Sequence, residues 1–337
     1  MSGKIDINKL NCFIDLHLHL DGSLSLNTVK KLAMLQNIEI TETDDQLKEK
    51  LSVDKDCKDL NQYLSKFAFP CSLLQTKEAI TLSVKCLNQE LSEQGLMYTE
   101  IRFAPQLHIN KGLTQKEVVE AAIDGLKSSP IPSGLILCCM RGEDNKALNI
   151  ETVRVAKEFL GKGVVAVDLA GAEAIWPVTK FEEEIMLAHE LGIPYTLHAG
   201  EATGPEEVKN ALNYKAKRIG HGINSYMDND LMERLRNENI TLECCPTSNL
   251  QTRAFDDIRK YPIRLFLEKG VKFTINTDNT VVSNTSIQEE WDLVIKTFSL
   301  NNDEIKTILL NAVTCAFTTA SIKEELIRKI EGNFSRN

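Results

Sequence analysis

Hydrophobic and polar residues alternate over residues 12–22, which read CFIDLHLHLDG. Single leucines separate Asp15, His17 and His19, and a β-strand sends successive side chains to opposite faces. The two imidazoles therefore point the same way, about 7 Å apart along one strand. Leucines on the opposite face suit a strand covered by helices, whereas buried histidines and an aspartate make poor core unless they bind something. We interpret this stretch as a strand that carries part of a metal site.

The chain then alternates short apolar runs with helical patterns. The apolar runs that predict further strands cover residues 96–104, 133–141, 164–169, 194–198, 218–221, 241–245 and 272–277. Helical spacing occurs between them, for example over residues 115–127, 152–160, 181–191 and 231–236. Strands that alternate with helices, eight in all with the opening strand, predict an α/β protein with a closed (β/α)8 TIM barrel rather than an open doubly wound sheet.

One connection is too long for this scheme. Residues 25–70 far exceed the usual strand-to-helix connection of about 2 to 6 residues. Apolar residues keep helical spacing from Leu26 onwards and again from Leu60 to Phe67, where Pro70 is expected to end the second segment. We predict a helical lid over the carboxyl end of the first strand.

The rest of the chain shows no domain boundary. Asn301 and Glu304 form a pair typical of a helix start, and apolar residues follow at helical spacing, so extra C-terminal helices are expected. No linker rich in Pro, Gly or Ser interrupts the chain. We therefore expect residues 1–337 to form a single domain with the lid as an insertion.

Composition narrows the choice of partner and compartment. The 337 residues carry a formal net charge of −9 without a long Lys/Arg run, which disfavours DNA, RNA and anionic membranes. Nine cysteines without a CxxC pair suit reduced thiols in a cytosolic protein better than a disulfide framework. The first residues lack the apolar core of a signal peptide, and no apolar run could span a membrane. We expect a cytoplasmic protein, and its oligomeric state is left open.

Imidazoles and carboxylates concentrate at the ends of the predicted strands. His198 and His221 end two of them, and Asp278 follows the last. The carboxyl ends of the strands form the active-site face of such a barrel, so these groups should meet. Four of the candidate residues form a set suited to zinc, with one position left for water. They supply three neutral imidazoles and one carboxylate: His17, His19, His198 and Asp278.

Two further residues are candidates for acid–base work. Glu201 follows His198 by three positions in HAGE, and burial there would raise the pKa of its carboxyl, which could then donate a proton to a substrate. His221, between two glycines, could orient the metal-bound water or take its proton. His108 and His189 are expected to be structural or surface residues.

Seven motifs then indicate a family. They are HLHLDG at 17–22, YTEIRFAPQLH at 98–108, DLAGAE at 168–173, HAGE at 198–201, GHG at 220–222, CPTSN at 245–249 and NTD at 276–278. In this order, over nearly the whole chain, they resemble adenosine deaminase. The resemblance implies hydrolysis of adenosine and 2′-deoxyadenosine to the inosine forms with release of ammonia, in a (β/α)8 barrel with one zinc ion per chain.

The resemblance also implies residue roles. His17, His19, His198 and Asp278 match the metal ligands, and Glu201, His221 and Asp278 form the catalytic group. Glu201 matches the acid that protonates purine nitrogen 1, and His221 the residue beside the attacking hydroxide. The residues expected to contact the nucleoside are His19, Asp21 at the 5′-hydroxyl, Gly171 through its N–H at nitrogen 3, Asn279, and Phe67 from the lid.

Residue 279 departs from the commonest family pattern. A second Asp usually follows the metal-binding Asp, whereas Asn279 follows Asp278 here. This position is expected to donate a hydrogen bond to purine nitrogen 7, which an amide does in its ordinary state and a carboxyl only when protonated. We expect the contact to survive with less dependence on pH.

Three other functions compete with this interpretation. The first is another mononuclear amidohydrolase or aminohydrolase acting on a related purine such as adenine, although adenine deaminases usually carry Glu where Asp21 stands. The second is a nucleoside-binding protein that has lost catalysis, and the third is a purely structural barrel. Retention of Glu201, His221 and all four ligands argues against lost catalysis, and a structural barrel would not place six ionisable groups at one rim.

Overall fold

Eight parallel strands form the centre of the protein, which a computed structural model describes over residues 10–54 and 57–335. Hydrogen bonds arrange them in two four-stranded sheets, β1-β2-β3-β4 and β5-β6-β7-β8. Their bounds are β1 Phe13–His19, β2 Leu96–Phe103, β3 Ser133–Met140, β4 Val164–Ala170, β5 Thr196–Ala199, β6 Arg218–His221, β7 Thr241–Cys244 and β8 Lys272–Ile275.

The two sheets meet at two seams. A single bridge pairs Val167 with Tyr195 between β4 and β5, and another pairs Leu18 of β1 with Asp278, which follows β8. Strand ladders do not run continuously across either seam, but the strand order is that of a TIM-type barrel. The predicted α/β class and (β/α)8 architecture are confirmed.

Helices surround the strands and cover their outer faces. They are α1 Leu26–Leu35, α2 Asp44–Leu51, α3 Leu60–Leu64, α4 Ala68–Leu73, α5 Lys77–Glu93, α6 Gln115–Leu126, α7 Lys146–Phe159, α8 Glu182–Glu190, α9 Pro205–Asn213, α10 Asn229–Asn237, α11 Pro246–Gln251, α12 Ile263–Lys269, α13 Ile287–Phe298, α14 Asn302–Cys315 and α15 Ala320–Phe334. Single 3₁₀ turns occupy Ser65–Phe67, Pro105–His108, Val178–Phe181, Ile223–Met227 and Ile258–Lys260.

The C-terminal helices are as expected. Asn301 Oδ1 accepts a hydrogen bond from the Glu304 N–H at 2.9 Å, and the Glu304 carboxylate accepts one from the Asn301 N–H at 2.8 Å. This reciprocal cap satisfies two N–H groups that would otherwise lack partners at the start of α14. Helix α14 packs against β8 and β1, which places it across the seam between the first and last strands.

The segment between β1 and β2 is helical, as predicted, but its details differ. Pro70 does not end a helix; it lies in the first turn of α4, where its missing N–H costs no helical hydrogen bond. The 3₁₀ turn Ser65–Phe67 separates α3 from α4 instead. Helix α2 was not predicted, because Asp44–Leu51 is mostly charged and buries only Leu47 and Leu51.

Several predicted boundaries also shift. The fifth strand begins at Thr196 rather than Pro194, and the eighth ends at Ile275. Helix α7 begins at Lys146, six residues before the predicted start at 152. Residue 181 ends a 3₁₀ turn, so α8 begins at Glu182. None of these shifts moves a predicted site residue to the other end of the barrel.

Two properties of the described residues bear on the environment of the protein. None of the helices within 10–54 and 57–335 is both long enough and apolar enough to cross a bilayer. All nine cysteines lie in these ranges, and each is free of a disulfide.

Candidate active site

A cavity of about 340 Å³ opens at the carboxyl ends of the strands. Its size is within the range of about 300 to 1,000 Å³ typical of small-molecule sites. Of the ten residues expected at the site, nine line this cavity, and His17 lies fully buried beneath it. The nine are His19, Asp21, Phe67, Gly171, His198, Glu201, His221, Asp278 and Asn279. The predicted convergence of distant parts of the chain is therefore seen in the structure.

Three imidazoles and a carboxylate meet at the floor of the cavity. One donor atom each from His17, His19 and His198 lies within 4.8 Å of the others. Asp278 Oδ1 lies 3.5 Å from Nε2 of His17 and 3.5 Å from Nε2 of His19. This is too long for good hydrogen bonds. It matches the spacing of roughly 3.3 to 3.4 Å between ligands that bind one zinc ion at about 2.0 to 2.1 Å.

The protonation states of His17, His19 and Asp278 suit a metal, whereas the Asp168 carboxylate outweighs burial and raises the pKa of His198. Burial lowers the pKa of His17 to about 4 and that of His19 well below its ordinary value, so both imidazoles are neutral at pH 7. Burial acts to raise the pKa of Asp278, but the neighbouring imidazoles of His17, His221 and His19 together outweigh it and lower this pKa below its usual range. His17 Nε2 is buried and has no hydrogen-bond partner among the described residues. Metal binding requires this combination of neutral imidazoles and an ionised carboxylate.

A second, overlapping donor set includes a cysteine. His17, His221, Cys245 and Asp278 also offer four donor atoms within 4.8 Å of one another. Burial raises the pKa of the Cys245 thiol well above its ordinary value, and the thiol form is a poor metal ligand. The set with His19 and His198 is therefore the better metal site, and Cys245, which the motif CPTSN contains, was not predicted as a ligand.

Backbone pairing at the seam holds three of the donors together. The Asp278 N–H donates to the His17 carbonyl at 2.8 Å, and the Asp278 carbonyl accepts from the His19 N–H at 2.7 Å. Asp278 has a φ of 62°, in the left-handed region that non-glycine residues rarely adopt. Ser248 Oγ donates to Asp278 Oδ2 at 2.5 Å. The other carboxylate oxygen, Oδ1, therefore faces His17 and His19. One residue of the candidate metal site is thus held in a strained backbone conformation.

Buried carboxylates orient two of the imidazoles from behind. His17 Nδ1 lies 2.8 Å from Glu243 Oε2, and His198 Nδ1 lies 2.8 Å from Asp168 Oδ2. A carboxylate beside Nδ1 keeps the proton on that nitrogen and leaves Nε2 free to bind a metal. Arg102 joins the two carboxylates, since its guanidinium lies 2.8 Å from each.

The ion pairs continue into the barrel interior. Arg218 Nε lies 2.6 Å from Glu243 Oε1, and its Nη2 lies 2.6 Å from Glu100 Oε2. The side chains of Glu100, Arg102, Arg218 and Glu243 are all fully buried. Each buried charge therefore depends on its neighbours for compensation, which a low-dielectric interior requires.

Glu201 and His221 share one amide. Asn249 Nδ2 donates to Glu201 Oε1 and to His221 Nδ1, in both cases at 3.1 Å. The Tyr261 hydroxyl donates to Asn249 Oδ1 at 2.8 Å, which fixes the direction of the amide. Since an amide nitrogen can only donate, Nδ1 of His221 accepts, and the proton of the neutral imidazole is on Nε2. Thr252 Oγ1 also donates to Glu201 Oε1, at 3.0 Å.

Glu173 holds the loop that carries Glu201. Its Oε1 accepts hydrogen bonds from the Gly200 N–H at 2.5 Å and from Thr203 Oγ1 at 2.6 Å. Its Oε2 accepts from the N–H groups of Glu201 and Ala202 at 3.0 and 2.9 Å. One buried carboxylate thus pairs three successive backbone donors directly after β5.

The remaining candidates line the wider part of the cavity. Burial raises the pKa of Asp21 to about 6. The thiol of Cys71 lies 3.4 Å from Asp21 Oδ2, whereas Asp21 Oδ1 has no hydrogen-bond partner among the described residues. Gly171 has a φ of 109°, which a side chain would strain. Asn279 Nδ2 donates to the Tyr63 hydroxyl at 3.0 Å. The half-buried Phe67 closes the cavity from the β1–β2 segment.

The other histidines and the arginines have different roles. His108 is fully buried outside the cavity, and His189 lies on α8 beside the Tyr195 hydroxyl, so both are structural, as expected. Arg141 donates to the carbonyls of Trp176 and His198, and Arg253 donates to the Cys57 carbonyl at 2.7 Å. With Arg102 committed to Asp168 and Glu243, the three arginines form no phosphate-binding cluster.

Comparison with known proteins gives the family. The family model described as adenosine deaminase matches residues 13–333. The chain is similar to an adenosine deaminase of Haemophilus ducreyi, 45% identical over 95% of this chain and 96% of the relative. It is also similar to one of Clostridium botulinum, 41% identical over 94% and 98%. The chain belongs to the adenosine deaminase family. It is a hydrolase that acts on C–N bonds.

A solved structure supports the fold of this family member. The chain is similar to an adenine deaminase from Arthrobacter aurescens, with a TM-score of 0.86 and 24% identity over 97% of this chain and 99% of that one. At this identity the likeness concerns the fold alone. Family membership also removes the structural barrel and the inactive binding protein as interpretations of the chain.

Sequence reasoning missed several residues of this adenosine deaminase-family site. Glu243, Glu173 and Asn249 were not predicted, although all three left a signal. Glu243 is an acidic residue in the middle of a predicted strand, and Glu173 and Asn249 end the motifs DLAGAE and CPTSN. Cys71 and Tyr63 left no comparable signal, because both lie in helices whose placement the sequence pattern does not give.

Proposed function

We propose that the protein deaminates adenosine and 2′-deoxyadenosine at one zinc ion bound by His17, His19, His198 and Asp278. The chain deaminates adenosine, the reaction for which its family is named. The observation that carries the zinc proposal is the placement of Asp278 Oδ1 at 3.5 Å from two imidazole nitrogens. Zinc bound there supplies an activated water molecule at neutral pH.

Glu201 is proposed as the proton donor to purine nitrogen 1. Its Oε1 already accepts two hydrogen bonds, from Asn249 and Thr252, so Oε2 is the oxygen that can carry and transfer a proton. Protonation of the ring makes carbon 6 more electrophilic as water attacks. This proton transfer stabilises the transition state more than the bound substrate, and such a difference is what raises the rate.

His221 is proposed to orient the attacking water. The tautomer that Asn249 favours places a proton on Nε2, which lies 3.5 Å from Glu201 Oε2. A protonated Nε2 can donate a hydrogen bond to an oxygen between these two side chains, but it cannot accept a proton. The network therefore favours orientation over general-base catalysis for this residue.

The wider part of the cavity is proposed to bind the nucleoside. Asp21 Oδ1 would accept the ribose 5′-hydroxyl, since with a pKa of about 6 the carboxylate is the main form at pH 7. The N–H of Gly171 would donate to nitrogen 3, and Asn279 to nitrogen 7. A carboxylate at the 5′ end also disfavours a 5′-phosphate, because two negative charges would meet in a buried place.

Residues 25–70 are proposed to act as a lid on a single domain that comprises residues 1–337. Phe67 supplies an apolar wall from this lid, and we expect Phe67→Ala to weaken nucleoside binding by roughly 1 to 3 kcal/mol through lost apolar burial. The inhibition constant of inosine measures this change. Phe69→Ala is the matched control, because Phe69 lies in the same segment but does not line the cavity. Equal effects of both variants would assign Phe67 to packing alone.

Reconstitution with zinc tests the proposed function directly. Protein stripped of metal should deaminate adenosine only after zinc is restored, and metal analysis should give one zinc ion per chain. A panel of adenosine, 2′-deoxyadenosine, adenine and AMP should show activity on the two nucleosides. Preference for adenine would favour the competing aminohydrolase, and activity that does not depend on metal would contradict the zinc proposal.

The compartment belongs to the same proposal. We propose a cytoplasmic location, since nine unpaired cysteines suit a reducing environment. Seven of these cysteines are buried, and the other two, Cys71 and Cys315, are partly exposed.

A further inference from the structure

A tyrosine of the lid contacts the residue proposed to read purine nitrogen 7. Tyr63, on α3, is only 2% exposed, and its hydroxyl lies 3.0 Å from Asn279 Nδ2 and 2.7 Å from Ser283 Oγ. The amide nitrogen can only donate, so the tyrosine oxygen accepts from it. The tyrosine hydroxyl and Ser283 Oγ share a second hydrogen bond, in which either oxygen can donate. The three side chains form a hydrogen-bonded relay.

This relay fixes the orientation of the Asn279 amide. Its Oδ1 packs over Gly22, where a Cβ would come within 1.7 Å, and finds no hydrogen-bond partner among the described residues. Its Nδ2 is turned to Tyr63. Since an amide nitrogen carries two protons, one remains for an acceptor in the cavity that Asn279 lines.

The lid is attached to the same loop through other contacts. The Val53 N–H donates to the Val282 carbonyl at 2.9 Å, and Ser52 Oγ donates to the Val281 carbonyl at 2.6 Å. Val53, Tyr63 and Val282 also belong to a small apolar cluster that is separate from the main core. The lid therefore seats on the loop that follows Asp278, so the position of Tyr63 is tied to the loop that carries Asn279.

We propose that Tyr63 is a positioning residue for nitrogen 7 recognition: its hydroxyl, set by Ser283, turns the Asn279 amide so that a donor faces the purine. The inference rests on the proposed function and adds a residue that lines the cavity but acts on the base through Asn279. Without the hydroxyl the amide can rotate, and its oxygen would then oppose nitrogen 7, which is itself an acceptor. Seating of the lid is thereby coupled to recognition of the base.

The test compares adenosine with 7-deazaadenosine, in which a C–H group replaces nitrogen 7. We expect Tyr63→Phe to lower kcat/KM for adenosine about two- to tenfold, the range of one hydrogen bond, and to leave the inhibition constant of 7-deazaadenosine unchanged. Asn279→Ala should remove the same discrimination between adenosine and 7-deazaadenosine. In the double variant, kcat/KM for adenosine should fall no further than in either single variant. Ser283→Ala should act in the same direction, because it removes the partner that holds the Tyr63 hydroxyl beside Asn279.

A matched control separates this role from packing. Tyr195→Phe also removes a hydrogen-bonded tyrosine hydroxyl, which donates to the Tyr214 carbonyl at 2.5 Å outside the cavity. It should leave the discrimination between the two nucleosides intact. The inference is overturned if Tyr63→Phe discriminates between adenosine and 7-deazaadenosine as well as the wild type does, or if it weakens binding of both nucleosides equally. In either case the proposed deaminase activity is unaffected. A wild-type protein without activity on adenosine overturns the proposed function and this inference with it.

Discussion

Glu201→Gln is expected to lower kcat for adenosine by roughly 10²- to 10⁴-fold, the usual contribution of a positioned acid. The glutamine oxygen can still accept the hydrogen bonds that Asn249 and Thr252 donate to Glu201 Oε1. The side chain should therefore keep its place, but its amide has no proton that it can transfer to purine nitrogen 1. Assays of ammonia release measure kcat, and metal analysis together with inosine binding shows whether the site is otherwise intact.

Glu206→Gln is the matched control for this prediction. Glu206 lies in the first turn of the next helix, α9, and its side chain is 76% exposed. Its loss should leave kcat unchanged, since an exposed carboxylate there contributes little beyond the helix dipole. Should Glu201→Gln retain a kcat close to that of this control, Glu201 is not the proton donor.

Glu243→Gln is expected to destabilise the protein by roughly 3 to 5 kcal/mol, the cost of removing one partner from a buried ion pair. Glu243 accepts from Arg102 and Arg218 and lies beside His17 Nδ1, all without contact to solvent. A neutral amide cannot compensate two buried guanidinium groups, and its NH₂ would face one of them. The free energy of unfolding of metal-free protein, from urea titrations, measures the effect.

The same variant should also weaken metal binding. Loss of the carboxylate behind His17 removes the group that keeps the proton on Nδ1, and such changes typically cost about 10- to 100-fold in metal affinity. Competition with a chelator measures this. Glu325→Gln is the control, because Glu325 pairs with Lys329 at the surface, where ion pairs contribute about 0 to 1 kcal/mol. A stability loss no larger than that of the control would show that Glu243 is dispensable.

The residues that converge on the cavity could be predicted, because parallel strands of one barrel end at the same face. The alternation of polar and apolar residues in β1 predicted His17 and His19. The ends of the later strands predicted His198, His221 and Asp278. The partners behind them could not be predicted in the same way. Glu243 and Arg102 are ordinary polar residues within strands until the barrel closes, and only closure shows which charges meet.

Backbone conformation was also beyond the sequence pattern. His221 and Asp278 adopt φ values of 57° and 62°, although neither is a glycine, and no apolar periodicity signals this. The segment between β1 and β2 illustrates a related difficulty. Pro70, which was expected to end a helix, lies in the first turn of α4, where it is tolerated, and the 3₁₀ turn Ser65–Phe67 separates α3 from α4.

The seam at Asp278 has a consequence for biosynthesis. The first two donors, His17 and His19, leave the ribosome long before the residue whose backbone hydrogen-bonds to both of them. About 260 further residues must be translated before Asp278 can join the two histidines. The complete set of four proposed ligands therefore forms only after most of the chain has been synthesised, and fragments that end upstream of Asp278 should bind a metal ion more weakly than the full chain.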